Sequence, residues 1–257
     1  MDILKVNRLT KNFGGLSAVH QVDFDLPLSQ ITSLIGPNGA GKTTTINLIT
    51  GFLPPTSGTI QFENRMIGSA PSHRIARLGL VRTFQISQML ETFTVLEAVM
   101  LGAHSRLSFG LLAGLLRFPR EREDQRKATE MAETVMNFIG LQEKRHLVCG
   151  HLPYGEKRIV ELGRALATQP RMILLDEPAA GLNTVERKKL KDLILKIKER
   201  GLTVLLVEHD MKMVMDISDK VIVLNFGEKI AEGRPEEIQN NSKVIEAYLG
   251  GGAAENA

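Results

Sequence analysis

The chain carries one cysteine, Cys149, in 257 residues. A single thiol excludes an internal disulfide and fits a reducing compartment. With no second thiol and no nucleophile pattern beside it, Cys149 reads as a small structural residue. Long apolar runs are also missing. The longest, residues 109–116, is far short of the roughly 20 residues that cross a bilayer. The opening segment mixes acidic, basic and apolar residues, so no secretory signal is expected, and the chain is expected to be cytoplasmic. The net charge is only +3. That suits work near an anionic membrane face, but many soluble enzymes share it, and no nucleic-acid partner is expected. No internal repeat is present. What the chain does have is ordinary globular material, 43% hydrophobic and 24% charged, enough for a sizeable core. Only the tail, residues 251–257, is expected to be flexible.

Apolar residues alternate with polar ones at Ile3 to Val6 and at Val22, Phe24 and Leu26, which predicts strands near the N-terminus. Residues 31–35 form a short apolar run into a glycine-rich turn, a helix is predicted over 42–49, and residues 59–62 read as a strand. From about 87 to 168 the spacing turns helical. Ala128, Met131, Ala132, Val135 and Ile139 share one face, and Ile159, Leu162, Gly163 and Leu166 share another. Buried-strand runs resume at 172–175, 202–207 and 221–224. Between the first two, Asn183 and Glu186 form a capping-box pattern that opens a helix ending at Gly201. Strands alternating with helices imply an α/β fold with a mainly parallel sheet, whose ligands sit at the carboxyl ends of the strands. The expected organisation is one nucleotide-binding domain over 1–250, with an N-terminal antiparallel β subdomain and a helical subdomain inserted at about 87–168.

Gly36-Pro37-Asn38-Gly39-Ala40-Gly41-Lys42-Thr43 satisfies the phosphate-loop pattern G-x-x-x-x-G-K-[ST] in the required context, between a strand and a helix. Its glycines let backbone N–H groups turn inward on phosphates, and the helix that follows adds its positive N-terminal end. Gly36, Pro37, Asn38, Gly39, Ala40, Gly41, Lys42, Thr43 and Thr44 are therefore the expected ATP-binding set. Lys42 reaches the terminal phosphates, and the Thr43 hydroxyl can ligate Mg²⁺. At the end of the 172–175 run stand Asp176 and Glu177. Asp176 can hold the metal through water, and Glu177 can take a proton from an attacking water or orient it. His209 follows the next buried run, where strand order would bring it near the γ-phosphate. Gln85, ending Val81-Arg82-Thr83-Phe84-Gln85, sits where the core yields to the helical region. An amide there could contact both Mg²⁺ and water.

Phosphate loop, junction glutamine, Asp-Glu after a strand and histidine one strand later occur in the order of an ATP-binding cassette (ABC) ATPase, and the chain resembles that family over nearly its whole length. The resemblance implies that Phe13 stacks on adenine, and that a signature sequence, usually Leu-Ser-Gly-Gly-Gln, contacts a second ATP. Here that position reads Leu152-Pro153-Tyr154-Gly155-Glu156. Pro153 has neither a hydroxyl nor an N–H, Glu156 puts a negative charge where an amide is usual, and Gly155 keeps the helix start open to phosphate. A carboxylate beside a triphosphate costs Coulomb energy unless Lys157 or Arg158 screens it, so the site completed by this signature is expected to be the slower of the two. Asn183 stands where the family usually has aspartate. The motifs around Phe13, Gln85, Tyr154-Gly155, Asp176 to Asn183 and Glu208 to Met211, with the tail through Tyr248-Leu249-Gly250, are similar to ATPases that energise branched-chain amino-acid uptake in bacteria.

What the resemblance implies is a motor. Two nucleotide domains meet head to tail, each ATP lying between one chain's phosphate loop and the other's signature. The implied partners are a second ABC ATPase, two transmembrane permease subunits and, indirectly, a solute-binding protein, which puts the chain on the inner face of the membrane. An apolar stretch at 107–118, with Leu111 and Leu115, is a candidate permease-docking patch, although a buried helical hairpin explains it as well. The alternative is a non-transport ABC ATPase, such as an iron–sulfur assembly scaffold. A switch GTPase does not fit, since no Asn-Lys-x-Asp motif occurs.

Overall fold

The computed structural model describes residues 1–83, 91–104 and 119–250. Strand β1 (Asp2–Phe13) pairs antiparallel with β2 (Leu16–Pro27), matching Leu4 with Leu26, Val6 with Phe24 and Leu9 with Val22. All six of these side chains are buried, as the period-two alternation requires. The chain then passes through β3 (Ile31–Ile35) and helix α1 (Lys42–Ile49) before β4 (Ser57–Phe62) returns to the other edge of β1, followed by the short β5 (Arg65–Met66). Helix α2 (Ser72–Leu78) ends at Gly79 and leads into β6 (Leu80–Arg82).

Among the described residues three α-helices follow. In α3 (Val95–His104) Val95, Ala98 and Val99 are buried. In α4 (Pro119–Ile139) Ala128, Ala132, Met136 and Ile139 are buried. Their i, i+4, i+8 spacing puts them on one face. Helix α5 (Tyr154–Ala167) buries Val160, Leu162 and Ala165. These helices belong to a compact unit made of residues 83–170 and 182–190.

The other unit comprises residues 1–82, 171–181 and the chain from 191 onward. Its second sheet is completed by β7 (Met172–Asp176) and, after α6 (Thr184–Glu199), by β8 (Thr203–Val207). Helix α7 (Met211–Ile217), β9 (Lys220–Asn225), β10 (Glu228–Gly233), α8 (Pro235–Gln239) and α9 (Ser242–Gly250) follow. The strand order is β10-β9-β3-β8-β7-β6, parallel except for β10. Every residue of β3 and β8 is buried, which is why neither alternates and both are mainly apolar, with Thr32, Ser33 and Thr203 as the polar exceptions. The two faces are visible in β9. Ile222 and Leu224 join the core shared with α1 and the antiparallel sheet, while Val221 and Val223 pack with Ile35, Val214, Ile238 and Val244 on the opposite face. Asn183 and Glu186 cap α6 as their spacing predicts: Asn183 Oδ1 accepts from the Glu186 N–H, and Glu186 Oε2 accepts from the Asn183 N–H. The antiparallel edge β10 was not legible in the sequence, because Glu228–Gly233 is half charged and ends in glycine. Among the described residues no helix is long and apolar enough to cross a membrane.

Candidate active site

Strand β3 delivers the chain into the phosphate loop at the carboxyl edge of the parallel sheet. Gly41 caps α1 at φ +97°, and a Cβ there would lie 2.5 Å from the carbonyl oxygen of Ala18. Both the left-handed backbone and the close approach exclude larger residues. Gly36 and Ala40 are buried and Thr44 is half-buried, whereas Asn38, Gly39 and Thr43 are exposed along the rim. Helix α1 has no side-chain cap and no acid in its first turn, so its N-terminal N–H groups remain available to an anion. The Lys42 ammonium is buried, donating to the carbonyls of Gly36 (2.7 Å) and Pro37 (2.9 Å). Burial lowers its pKa, and the charges of Glu177 and then Asp176 oppose that shift. Lys42 therefore feels both acids at the end of β7.

Asp176 ends β7, and its Oδ2 accepts from the Arg82 guanidinium at 2.6 Å. Glu177 follows at φ +46°, a left-handed conformation that a residue with a long side chain adopts only where its surroundings hold it. Two contacts do so. Its N–H donates to the Val207 carbonyl (2.8 Å), and its Oε1 lies 2.8 Å from His209 Nε2. The structure thus brings Glu177 and His209 into direct contact. Glu208, between β8 and His209, is buried and unaccounted for by sequence reasoning. Its two oxygens accept from the backbone N–H groups of Ala179 (2.7 Å) and His209 (3.1 Å). It therefore ties the loop after β7 to the loop after β8. Burial pushes the Glu208 carboxyl above its usual range. A second missed neighbour is Tyr248 of α9. The Gly36 backbone hydrogen-bonds it, and burial pushes its phenol up to about 12. Phe13 stands 47% exposed at the end of β1, with Lys11 Nζ 5.3 Å from its ring centre. Gln85, Leu111 and Leu115 lie outside the described residues.

In the helical unit, Pro153 precedes α5 with extended backbone, and Tyr154 and Gly155 open the helix. A Cβ on Gly155 would lie 2.5 Å from Glu186 Oε1, so a larger residue there would have to push the Glu186 side chain aside. Neither Lys157 nor Arg158 screens Glu156. Lys157 pairs with Glu91 and Arg158 with Glu161, while Lys144, twelve residues upstream, takes both oxygens of Glu156. The adjacent cations do not reach it because successive helical residues point in different directions.

The residues fit Mg²⁺ of the kind held jointly with a nucleotide. Among the described residues no cluster of three or more His, Cys, Asp or Glu could hold a metal alone. The Thr43 hydroxyl is exposed, and the Asp176 carboxylate is partly exposed with only one oxygen taken by Arg82. One carboxylate and one hydroxyl leave the remaining positions to phosphate oxygens and water, the arrangement usual for this ion.

Comparison with known proteins places these features in context. A profile described as ABC transporter matches residues 19–180. A second, described as branched-chain amino acid ATP-binding cassette transporter, matches residues 228–254. The chain is 47% identical over 249 residues to the high-affinity branched-chain amino acid transport ATP-binding protein LivG of Salmonella typhimurium, covering 96% of this chain and 98% of that one. It is 46% identical, at the same coverage, to BraF of Pseudomonas aeruginosa. Among solved structures, a nucleotide-free ATP-binding cassette from an ABC transporter aligns with TM-score 0.85 at 35% identity, over 96% of this chain and 99% of that one. An ABC-transporter cassette in its ADP conformation aligns with TM-score 0.86 at 35% identity, over 97% and 99%.

Proposed function

Because the chain belongs to the ABC transporter family of ATP-binding cassettes, we propose that it is the motor subunit of a branched-chain amino-acid importer. It is an ATPase whose hydrolysis is coupled to transport. The observation that carries the mechanism is the 2.8 Å contact between Glu177 and His209, within the same compact unit as the phosphate loop. Phe13 stacks on the base. Lys42 exchanges its two carbonyl partners for phosphate oxygens, and the α1 N-terminus adds its N–H groups. Thr43 and Asp176 would hold Mg²⁺, which would supply charge to neutralise the phosphates when bound. Glu177 accepts or orients the proton of the attacking water, and His209 holds that carboxylate by its Nε2 while facing the γ-phosphate.

The signature at Leu152 to Glu156 serves a second ABC ATPase chain, presenting Gly155 and the start of α5 to that chain's ATP. Two permease subunits bind the pair at the inner membrane face, and a solute-binding protein delivers the amino acid. The C-terminal match argues against a soluble iron–sulfur scaffold. The test is reconstitution of the chain with co-purified permeases in liposomes. ATP-dependent uptake of leucine, isoleucine or valine that is lost in Glu177→Gln supports this reading. ATPase activity with no permease partner, or uptake of an unrelated solute, overturns it.

A further inference from the structure

The Arg82 side chain is 12% exposed and has no role among the nucleotide- and metal-binding groups named above. It closes the carboxyl end of β6, paired in register with Leu174 of β7. Residues two apart on a strand share a face, and paired residues of parallel strands point the same way. Arg82, Leu174 and Asp176 therefore project to the same side of the sheet, where Leu174 packs in the core shared with α1. There the guanidinium divides between two elements. One nitrogen donates to Asp176 Oδ2 at 2.6 Å and the other to Asn47 Oδ1 of α1 at 2.7 Å. The ring of Phe52 lies 5.9 Å away and shields the fork. A planar guanidinium can satisfy two acceptors in fixed directions, and its bond to a carboxylate is charge-assisted. Helix α1 is the helix that begins with Lys42 and Thr43.

We infer that Arg82 is the positioning residue for the metal-binding carboxylate. It splints Asp176 to the helix that carries Thr43, so that the carboxylate, with Oδ1 left over, would be held ready for Mg²⁺ without a rotamer search. This rests on the proposed metal role of Asp176. Arg82 acts through Asp176. It keeps the two protein groups that address the ion at one separation, as supporting hydrogen bonds do for other metal-addressing carboxylates.

The experiment measures ATP affinity by titration calorimetry, with excess EDTA and again with Mg²⁺, and takes the ratio as the magnesium enhancement. Arg82→Gln is expected to leave the EDTA affinity within about twofold of wild type and to cut the enhancement about tenfold, the low end for losing a group that orients a metal ligand. Arg82→Lys keeps the charge but not the fork and should recover only part of it. Asn47→Ala leaves Arg82 on Asp176 and should give a smaller loss in the same direction, so the inference stays testable if Arg82→Gln fails to fold. Asp176→Asn is the control for the underlying reading. If it keeps the full enhancement, or if wild type has none, the metal role of Asp176 is wrong. If Asp176→Asn loses the enhancement while both the Arg82 and Asn47 variants keep it, the splint is wrong. A stronger enhancement in Arg82→Gln also overturns it, since Arg82 would then compete with the ion.

Discussion

The Lys144 ammonium lies 2.5 and 2.6 Å from the two carboxylate oxygens of Glu156, which joins the short helical turn at Gln142–Lys144 to the first turn of α5. The acid in the altered signature is thus already neutralised within its own unit. Both partners are partly exposed, so the pair adds little stability. Its consequence is electrostatic, at a helix end that is proposed to meet a neighbour's triphosphate. Lys144→Gln should restore repulsion and slow the composite site completed by this signature. Pro153→Ser with Glu156→Gln should speed it. The measurement is residual ATPase in the heterodimer with Lys42→Ala in this chain, which silences the other site. Equal rates in all three backgrounds would show that this charge does not reach the phosphate.

For catalysis, Glu177→Gln is expected to keep ATP binding and lower turnover by about 10²-fold or more, the scale of a lost general base. His209→Ala should lower turnover without weakening ATP binding, because Nε2 contacts the Glu177 carboxylate. Steady-state hydrolysis and direct ATP titration separate the two effects. Normal turnover in either variant would remove that residue from the mechanism.

Burial lowers the Lys42 pKa from 10.5 in the nucleotide-free chain. ATP phosphates should raise it again, so ATP binding on the alkaline side takes up a proton. Affinity should therefore fall as pH rises through the lowered value. Calorimetry in two buffers of different ionisation enthalpy reads that uptake directly, and Lys42→Met should abolish it.

Glu208 tests the same linkage through stability. Burial raises its folded pKa above the ordinary carboxylate value of 4.5, so between those two values the native state binds more protons than the unfolded chain. Its contribution to stability is present at acid pH and is lost as pH rises through that window. Glu208→Gln should remove this slope from the melting temperature measured against pH. It should also lower turnover more than ATP affinity, because Glu208 ties the backbone of Ala179 to that of His209.

Much of the site was legible in the chain because its parts are local. A phosphate loop is one contiguous turn whose backbone shape is encoded by the glycines inside it, and Lys42 and Thr43 follow on the same helix. The strands β3, β7 and β8 announce themselves because burial on both faces leaves mostly apolar residues, broken by Thr32, Ser33, Thr203 and the terminal Asp176. The Asn183–Glu186 cap spans three positions, so spacing alone predicts it. Chain order even places Asp176, Glu177 and His209 at the same end of one sheet, since parallel strands deliver their carboxyl ends to one edge.

Tertiary structure decided the pairings between distant residues. Arg82 and Asp176 are 94 positions apart, Glu208 and Ala179 are 29 apart, and Lys144 reaches Glu156 in place of its adjacent cations. No periodicity carries such information, because an ion pair depends on which side chains the packed strands and helices aim at each other. The left-handed backbone of Glu177 belongs to the same class. Its φ of +46° is a cost the local sequence would not choose, and it persists because Val207 and His209, both on or beside the next strand, hold the residue there. The chain's own letters therefore determine which groups meet the nucleotide, and folding determines which neighbours hold those groups in place, because only the packed sheet sets their directions and distances.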